Sequence, residues 1–424
     1  MGSAIKKPMP KPDNTAAYQR REDHWDIASC QMRGLIFRLE TVSMTVGYIT
    51  DFQGMNIPLG VYWRVYAFEN GARVKILDLH TQPAWYGAVM GTGATSTLLY
   101  VTYDRVQWSV LLWGAIALLW VATAIAVLLW PRYFRRLSKK YELAHEMADP
   151  AHGAMLATFP AGLLVLAIAW GGVGQETVPS NIALSIAGVL LVFGATAALI
   201  YSPVWAAVIS RVEVPLAKVN GGWLIPVVMN LLVPVAMVPV IREFPDQAPG
   251  LIAIGFGFLG IGALLFVAVF TLLIVRIATQ GSLPAPLVPS LWIPLAPASV
   301  FGIGIIRLFQ SGVEAGIINE DLMVLAEIMA AMGIGFGIWW AIFAGLDLRR
   351  AVKNGGIPFH LGWWGVVFPV VSMAIVINLL DQLLDSEVIV ALTATAIGFG
   401  VWLFVASKTI VAVIAERTRE TTSE

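Results

Sequence analysis

The chain has 424 residues, 58% of them hydrophobic and only 13% charged, and its 27 basic and 27 acidic residues cancel. A soluble domain carries roughly a quarter charged residues, so an ordinary water-soluble protein is excluded, and the balance of charge gives no sign of nucleic-acid binding. The single cysteine, Cys30, excludes an intramolecular disulfide framework and any multi-cysteine metal or iron–sulfur site, while 16 Trp and 39 Gly suit membrane interfaces and close helix contacts.

Residues 1–82 stand apart. They hold about a third of the chain's charge in a fifth of its length, and no uncharged run there reaches the ~18–20 residues that cross a bilayer as a helix. No apolar block follows Lys6 and Lys7 closely enough for a secretory signal, and Met1–Asn14, rich in Lys and Pro, reads as disordered. The alternating runs Val61–Phe68 and Arg73–Leu79 flank Asn70-Gly71, which predicts a β-hairpin within a short N-terminal cytoplasmic segment.

From Pro83 onward ten long, largely uncharged stretches recur, at 83–103, 106–130, 153–175, 180–202, 219–241, 249–275, 287–310, 320–345, 357–380 and 387–410. Each is long enough to span ~30 Å of hydrocarbon. Arg307, Glu327 and Lys408 are isolated charges within them. Basic residues gather in the 2–3, 4–5 and 8–9 connections (Arg132, Arg135, Arg136, Lys139, Lys140; Arg211, Lys218; Arg349, Arg350, Lys353), whereas Glu176, Glu243, Asp246, Glu314, Asp321, Asp385 and Glu387 collect in the others. The positive-inside rule then predicts both termini in the cytoplasm, as an even number of spans requires. A ten-helix membrane domain, 83–414, would be followed by a cytoplasmic tail, 415–424.

Proline alternates along this series. Pro160, Pro226, Pro234, Pro239, Pro294, Pro297 and Pro369 fall in odd spans, whereas even spans have none in their interior. Proline removes a helical donor and frees a carbonyl, which at membrane depth is tolerated in protein or beside a wet cavity. Odd helices are therefore expected to surround a central path and even helices to form an outer wall. Span one, without internal proline, has Gly91-Thr92-Gly93 instead. The even spans repeat Gly255-Phe-Gly257, Gly335-Phe-Gly337 and Gly398-Phe-Gly400, and Phe159-Pro160 recurs as Phe368-Pro369. Recurrence every second span predicts five tandem helical hairpins, an all-α polytopic fold around a pore, with the mid-span glycines packing helices together. Gly255-Phe-Gly-Phe-Leu-Gly260 has dinucleotide-loop spacing but lies inside a bilayer-length apolar run with no strand before it, so it carries no such function.

Three segments carry a family likeness: Trp85–Gly93 opening span one, Asp149-Pro-Ala-His152 with Thr158-Phe-Pro160 at span three, and Trp363–Pro369 in span nine. In these the chain resembles the tellurite-resistance/dicarboxylate transporter family, the slow-type anion channel superfamily that also includes fungal malate and sulfite permeases. The resemblance covers roughly residues 83–414. It implies ten helices in five hairpins, proline-kinked odd helices around a pore, a homotrimer, and an aromatic side chain from span nine as the pore gate, which here is Phe368.

The path offers weak polar groups and almost no charge. Pore-lining candidates are Thr92, Phe159, Pro160, Pro226, Asn230, Pro294, Ser299, Pro369 and Ser372, with Thr95 and Thr158 as further hydroxyls. Weak distributed sites suit conduction, because ions must enter and also leave. No carboxylate lies at mid-depth on an odd span, where a coupled carrier would normally place one. Arg307, a turn from the outer end of span seven, either attracts anions or pairs with Glu314 or Glu327. Lys408 is expected to snorkel to headgroups. His24, His80, His145, His152 and His360 show no metal-binding spacing, and no phosphate loop occurs, so neither an enzyme nor a resident cofactor is expected. The leading expectation is a channel or facilitator for small inorganic or organic anions in a cytoplasmic membrane. Alternatives are a secondary transporter for malate-like dicarboxylates or sulfite- and tellurite-type oxyanions, and a membrane sensor without transport.

Overall fold

The computed structural model describes residues 48–51, 55–58, 84–137, 146–149 and 152–421. The chain divides into two units, Met1–Val74 and Lys75–Glu424. In the first, β1 (Tyr48–Asp51) pairs antiparallel with β2 (Met55–Pro58), Tyr48 opposite Pro58 and Asp51 opposite Met55. The hairpin expected around Asn70-Gly71 lies outside the described residues.

The second unit is a bundle of ten long helices: α1 (Trp85–Val106), α2 (Ser109–Leu137), α3 (Thr158–Gly171), α4 (Ser180–Ile209), α5 (Ile225–Glu243), α6 (Ala248–Gln280), α7 (Leu295–Glu314), α8 (Met323–Lys353), α9 (Trp364–Leu383) and α10 (Ile389–Thr421). Nine are both long and apolar enough to span a membrane. The tenth, α1, is rich in Gly, Thr and Tyr, yet its 22 residues extend about 33 Å at 1.5 Å per residue.

Consecutive helices pair as α1–α2, α3–α4, α5–α6, α7–α8 and α9–α10, which gives the five hairpins. The odd helices also contact one another in a closed cycle, α1–α3–α5–α7–α9–α1. They form the inner ring. Burial separates the two sets: 72–89% of the spanning stretches of α3, α5, α7 and α9 is buried, against 17–33% for the even helices. Even helices thus turn broad apolar faces outward, as a lipid-facing wall requires, with Trp113, Leu264, Met332 and Leu346 among the most exposed side chains.

Two proline readings need correction. Pro131 and Pro203 sit inside even helices, because α2 and α4 run past the stretches that the apolar pattern delimits. Pro160, Pro226, Pro294 and Pro297 stand at or near the starts of odd helices, where a missing N–H costs little; Pro234, Pro239 and Pro369 are interior. Proline therefore marks how the inner helices begin as much as where they bend.

Glycine sets how closely the rings approach. One glycine of each mid-span pair faces the next odd helix. A Cβ on Gly255 would lie 2.7 Å from Leu308, on Gly337 1.9 Å from Met373, and on Gly398 2.8 Å from Leu98. Gly257, Gly335 and Gly400 face open space. On α1, Gly87 and Gly91 receive Trp364 and Val367 of α9, while Gly93 receives Val165 of α3. A leucine at Gly398 would overpack the α10–α1 seam, which has Ala374 and the Val371 backbone on its other side. Gly398→Leu is expected to cost about 1–3 kcal/mol, read as a lower Tm in detergent, whereas Gly400→Leu should leave the Tm unchanged.

Indole N–H groups join the rings. Trp170 (α3) donates to Thr123 (α2) at 3.1 Å, Trp364 (α9) to Thr409 (α10) at 3.1 Å, and Trp402 (α10) to Thr92 (α1) at 3.1 Å. The cycle closes through buried polar groups between first and last hairpins. Thr102 bonds Thr395 at 2.8 Å and donates to Asn378 Oδ1 at 3.3 Å, and Arg105 pairs with Asp381 at 3.0 Å.

Candidate functional site

All five inner helices reach one cavity of about 230 Å³ at the end of the bundle where they begin. This is the basic end, near Arg211, Lys218 and Arg350 rather than Glu176 and Glu314. Four of the inner helices start abruptly. A short helical turn, His152–Leu156, precedes α3, and stretches of 3-10 helix at Gly221–Leu224, Ala285–Trp292 and Leu361–Trp363 precede α5, α7 and α9, the second of them eight residues long. The approaches to α5 and α9 share one local pattern. Asn220 Oδ1 accepts from Gly222 N–H at 2.8 Å, and His360 Nδ1 accepts from Gly362 N–H at 3.0 Å, each two residues on and just before a Trp. In both the side chain caps a short turn whose first N–H groups lack carbonyl partners.

The wall is mostly apolar. Gly87 and Met90 come from α1, Met155 and Thr158 from the start of α3, Val228 from α5, and Ala296 from α7. Trp364, Phe368 and Pro369 come from α9. Phe368, 6% exposed, stands beside Pro369, which lacks the N–H that would complete a helical bond to Gly365. The polar lining is Thr158, Asn220, Ser290 and His360, without a lysine, arginine or carboxylate. Ser290 Oγ also accepts from Gly221 N–H at 3.3 Å, and Gly221 admits it closely, since a Cβ there would lie 1.8 Å from the Ser290 carbonyl oxygen.

Of the residues expected at the path, Phe368 and Pro369 line this cavity together with Thr158. The others do not line this cavity, and most of them bond or pack against neighbouring helices. Thr92 accepts the Trp402 indole, and Asn230 (α5) donates to Ser202 (α4) at 2.6 Å and to the Pro226 carbonyl at 2.8 Å. Ser299 (α7) and Ser372 (α9) bond each other at 2.7 Å, and Thr95 bonds back to the Gly91 carbonyl. Phe159 stacks on Tyr133 of α2 at 4.1 Å and meets Tyr86 edge-on at 5.0 Å, so it joins α3 to its neighbours. The Pro160 carbonyl faces Gly194 of α4, and Pro294 caps the start of α7. A helix has more than one buried side, and sequence alone did not separate the side facing the cavity from the side facing the outer helices. Asn220, Ser290 and Met90 were missed. The shared Asn/His-x-Gly-Trp spacing was the available signal.

At the acidic end, Glu314 is taken by Arg242 in a two-pronged pair, both contacts 2.8 Å. Arg307 has no carboxylate within ion-pair distance among the described residues. Its Nη1 donates to Gln310 Oε1 at 3.0 Å, with Asp104, Glu314 and Arg242 acting on it from farther away. The expected Arg307–Glu314 and Arg307–Glu327 pairs are therefore not formed. Lys408 lies over the Phe404 ring, 5.9 Å from its centroid.

A family model described as SLAC1, voltage-dependent anion channel, matches residues 80–410. An uncharacterized transporter of Methanocaldococcus jannaschii is 27% identical over 335 residues, covering 76% of this chain and 90% of that protein. A sulfite efflux pump of Trichophyton rubrum is 26% identical over 325 residues, 70% of this chain and 80% of the pump. A Schizosaccharomyces pombe protein named for malic acid transport is 21% identical over 338 residues, 75% and 76% of the two chains.

Proposed function

Because the chain belongs to the SLAC1 voltage-dependent anion channel family, matched over residues 80–410, we propose that it passes small anions along the axis of the inner ring, gated by Phe368. The observation that carries this reading is the cavity reached by all five inner helices, with Phe368 in its wall beside a proline that interrupts α9. An anion entering from the basic end meets hydroxyl and amide groups and no fixed cation, so it is held weakly enough to leave. The aromatic ring blocks by size and by keeping water out. The basic connections support a cytoplasmic position for this end and for both termini under the positive-inside rule, and a homotrimer in a cytoplasmic membrane is the assembly we propose.

The test is anion flux into liposomes holding the purified protein. Unitary currents or unsaturable flux support a channel. Saturable uptake of sulfite or malate supports a carrier instead, a second reading favoured by the names of the fungal relatives. Absence of both kinds of flux with folded protein overturns transport.

Arg307 is the proposed electrostatic attractor at the opposite mouth, since its expected partner Glu314 is engaged by Arg242. Arg307→Gln is expected to lower conductance at low anion concentration about twofold or more, with the effect shrinking as salt rises and screening shortens. An unchanged conductance with a lowered Tm would assign Arg307 a packing role.

A further inference from the structure

His360 is the one titratable side chain in the cavity wall, and the reading above gives it no task. Its Nδ1 accepts the Gly362 N–H at 3.0 Å, which fixes the neutral tautomer with the proton on Nε2. Nε2 is buried and makes no hydrogen bond; the nearby Pro286 carbonyl does not reach bonding geometry. The elements packed on the Leu361–Trp363 turn are Ala285–Trp292, α1, α9 and, through Trp363 edge-on to Phe404 at 6.2 Å, α10. The first has no titratable group. On α1, Tyr86 turns to Tyr133 and Phe159, and Tyr100, Tyr103, Asp104 and Arg105 lie at the far end with Asp381 of α9. On α10 the exposed Lys408 lies over Phe404, outside the cavity lining, so among the described residues the lining itself holds no fixed charge.

We infer that His360 is a proton-switched docking residue for small monovalent anions at the basic mouth of the cavity. In the neutral form the ring is committed to its cap. Adding a proton to Nδ1 sets two donors face to face, so the Gly362 bond breaks and the ring is freed. The cavity then contains a cation with N–H donors, beside the Asn220 amide and the Ser290 hydroxyl. Burial lowers the imidazole's affinity for a proton below the ordinary histidine range, which places the switch on the acid side of neutrality. This inference rests on the conduit reading, and its test separates the two.

Asn220 supplies the control. It caps the corresponding turn with a side chain that does not titrate, so His360→Asn should keep the cap and lose the switch. Nitrate flux would be measured in liposomes at subsaturating nitrate, with both faces at about pH 7.5 or about pH 5.5. The wild type is expected to conduct severalfold faster in acid, and H360N to hold its neutral-pH rate at both values. A wild type that conducts at neutral pH without acid stimulation, or an H360N variant that keeps the stimulation, overturns the proposal. If the wild type passes no nitrate at either pH, conduction fails. Docking is then decided by the nitrate-induced rise in Tm: a rise larger in acid for the wild type alone supports it, and equal rises overturn it.

Discussion

Phe368→Ala is expected to raise anion flux severalfold, with the protein still folded. The side chain lies in the wall of the cavity on α9, directly before Pro369, and is 6% exposed. Fully enclosed Phe→Ala changes cost about 3–5 kcal/mol because the surrounding residues collapse only partly. Here part of the ring borders space that already exists, so the void merges with the cavity and the cost falls at or below the lower end of that range. On the proposed reading, the change removes the aromatic ring that blocks the cavity and leaves the rest of its wall, Trp364 included, in place. Liposome flux of nitrate or chloride, normalised to folded trimer or monomer by size-exclusion chromatography, reads the effect. Phe368→Leu should give an intermediate rate, and Phe159→Ala, on the α2 side of α3, should give none. Unchanged flux in folded Phe368→Ala would remove Phe368 from the gate.

The second large effect is on stability. Asp381→Ala should destabilise the bundle by about 3–5 kcal/mol, because it leaves the largely buried Arg105 guanidinium without its counter-charge. The Asp381 side chain is 3% exposed and that of Arg105 13%, and they meet at 3.0 Å. Arg105 also donates to the Ser386 carbonyl, and the Ser386 hydroxyl donates to Asp381, so one carboxylate anchors the α1 end and the α9–α10 connection together. This is the ion pair in the seam where the first and last hairpins meet, beside the Thr102 bonds to Asn378 and Thr395 and the Trp402–Thr92 bond. Thermal unfolding in detergent should show the loss, and Asp381→Asn should show a smaller one, since the amide can still accept a hydrogen bond. By comparison the exposed Arg242–Glu314 pair, about half accessible on each side, should contribute well under 1 kcal/mol.

Much of the architecture was legible in the residues. Apolar runs gave ten helices because a bilayer demands unbroken stretches of a fixed length, and the Gly-Phe-Gly repeat gave the hairpin period. Phe368, which lines the cavity, stands out in the sequence through its place in a family-like segment before Pro369. The helix limits were less legible. The ends of α2, α4 and α10 run beyond the apolar stretch, since a helix can continue into water once hydrocarbon no longer dictates its composition. For Arg307 the sequence leaves anion attraction and pairing with Glu314 or Glu327 open, and Arg242 takes both oxygens of the Glu314 carboxylate from α5.

What the sequence determined by itself was the solvent, the number of helices, and which of them lie inside, because hydropathy, length and proline tolerance are properties of each segment alone. Only the tertiary structure decided which side of an inner helix lines the cavity. Thr92, Asn230 and Ser299 are as buried and polar as any pore group, but Trp402, Ser202 and Ser372 claim them from neighbouring helices. The cavity is instead made by the starts of inner helices that are distant in the chain. Asn220, Ser290 and His360 share it only because the ring closes, and a position on a ring depends on all five hairpins at once.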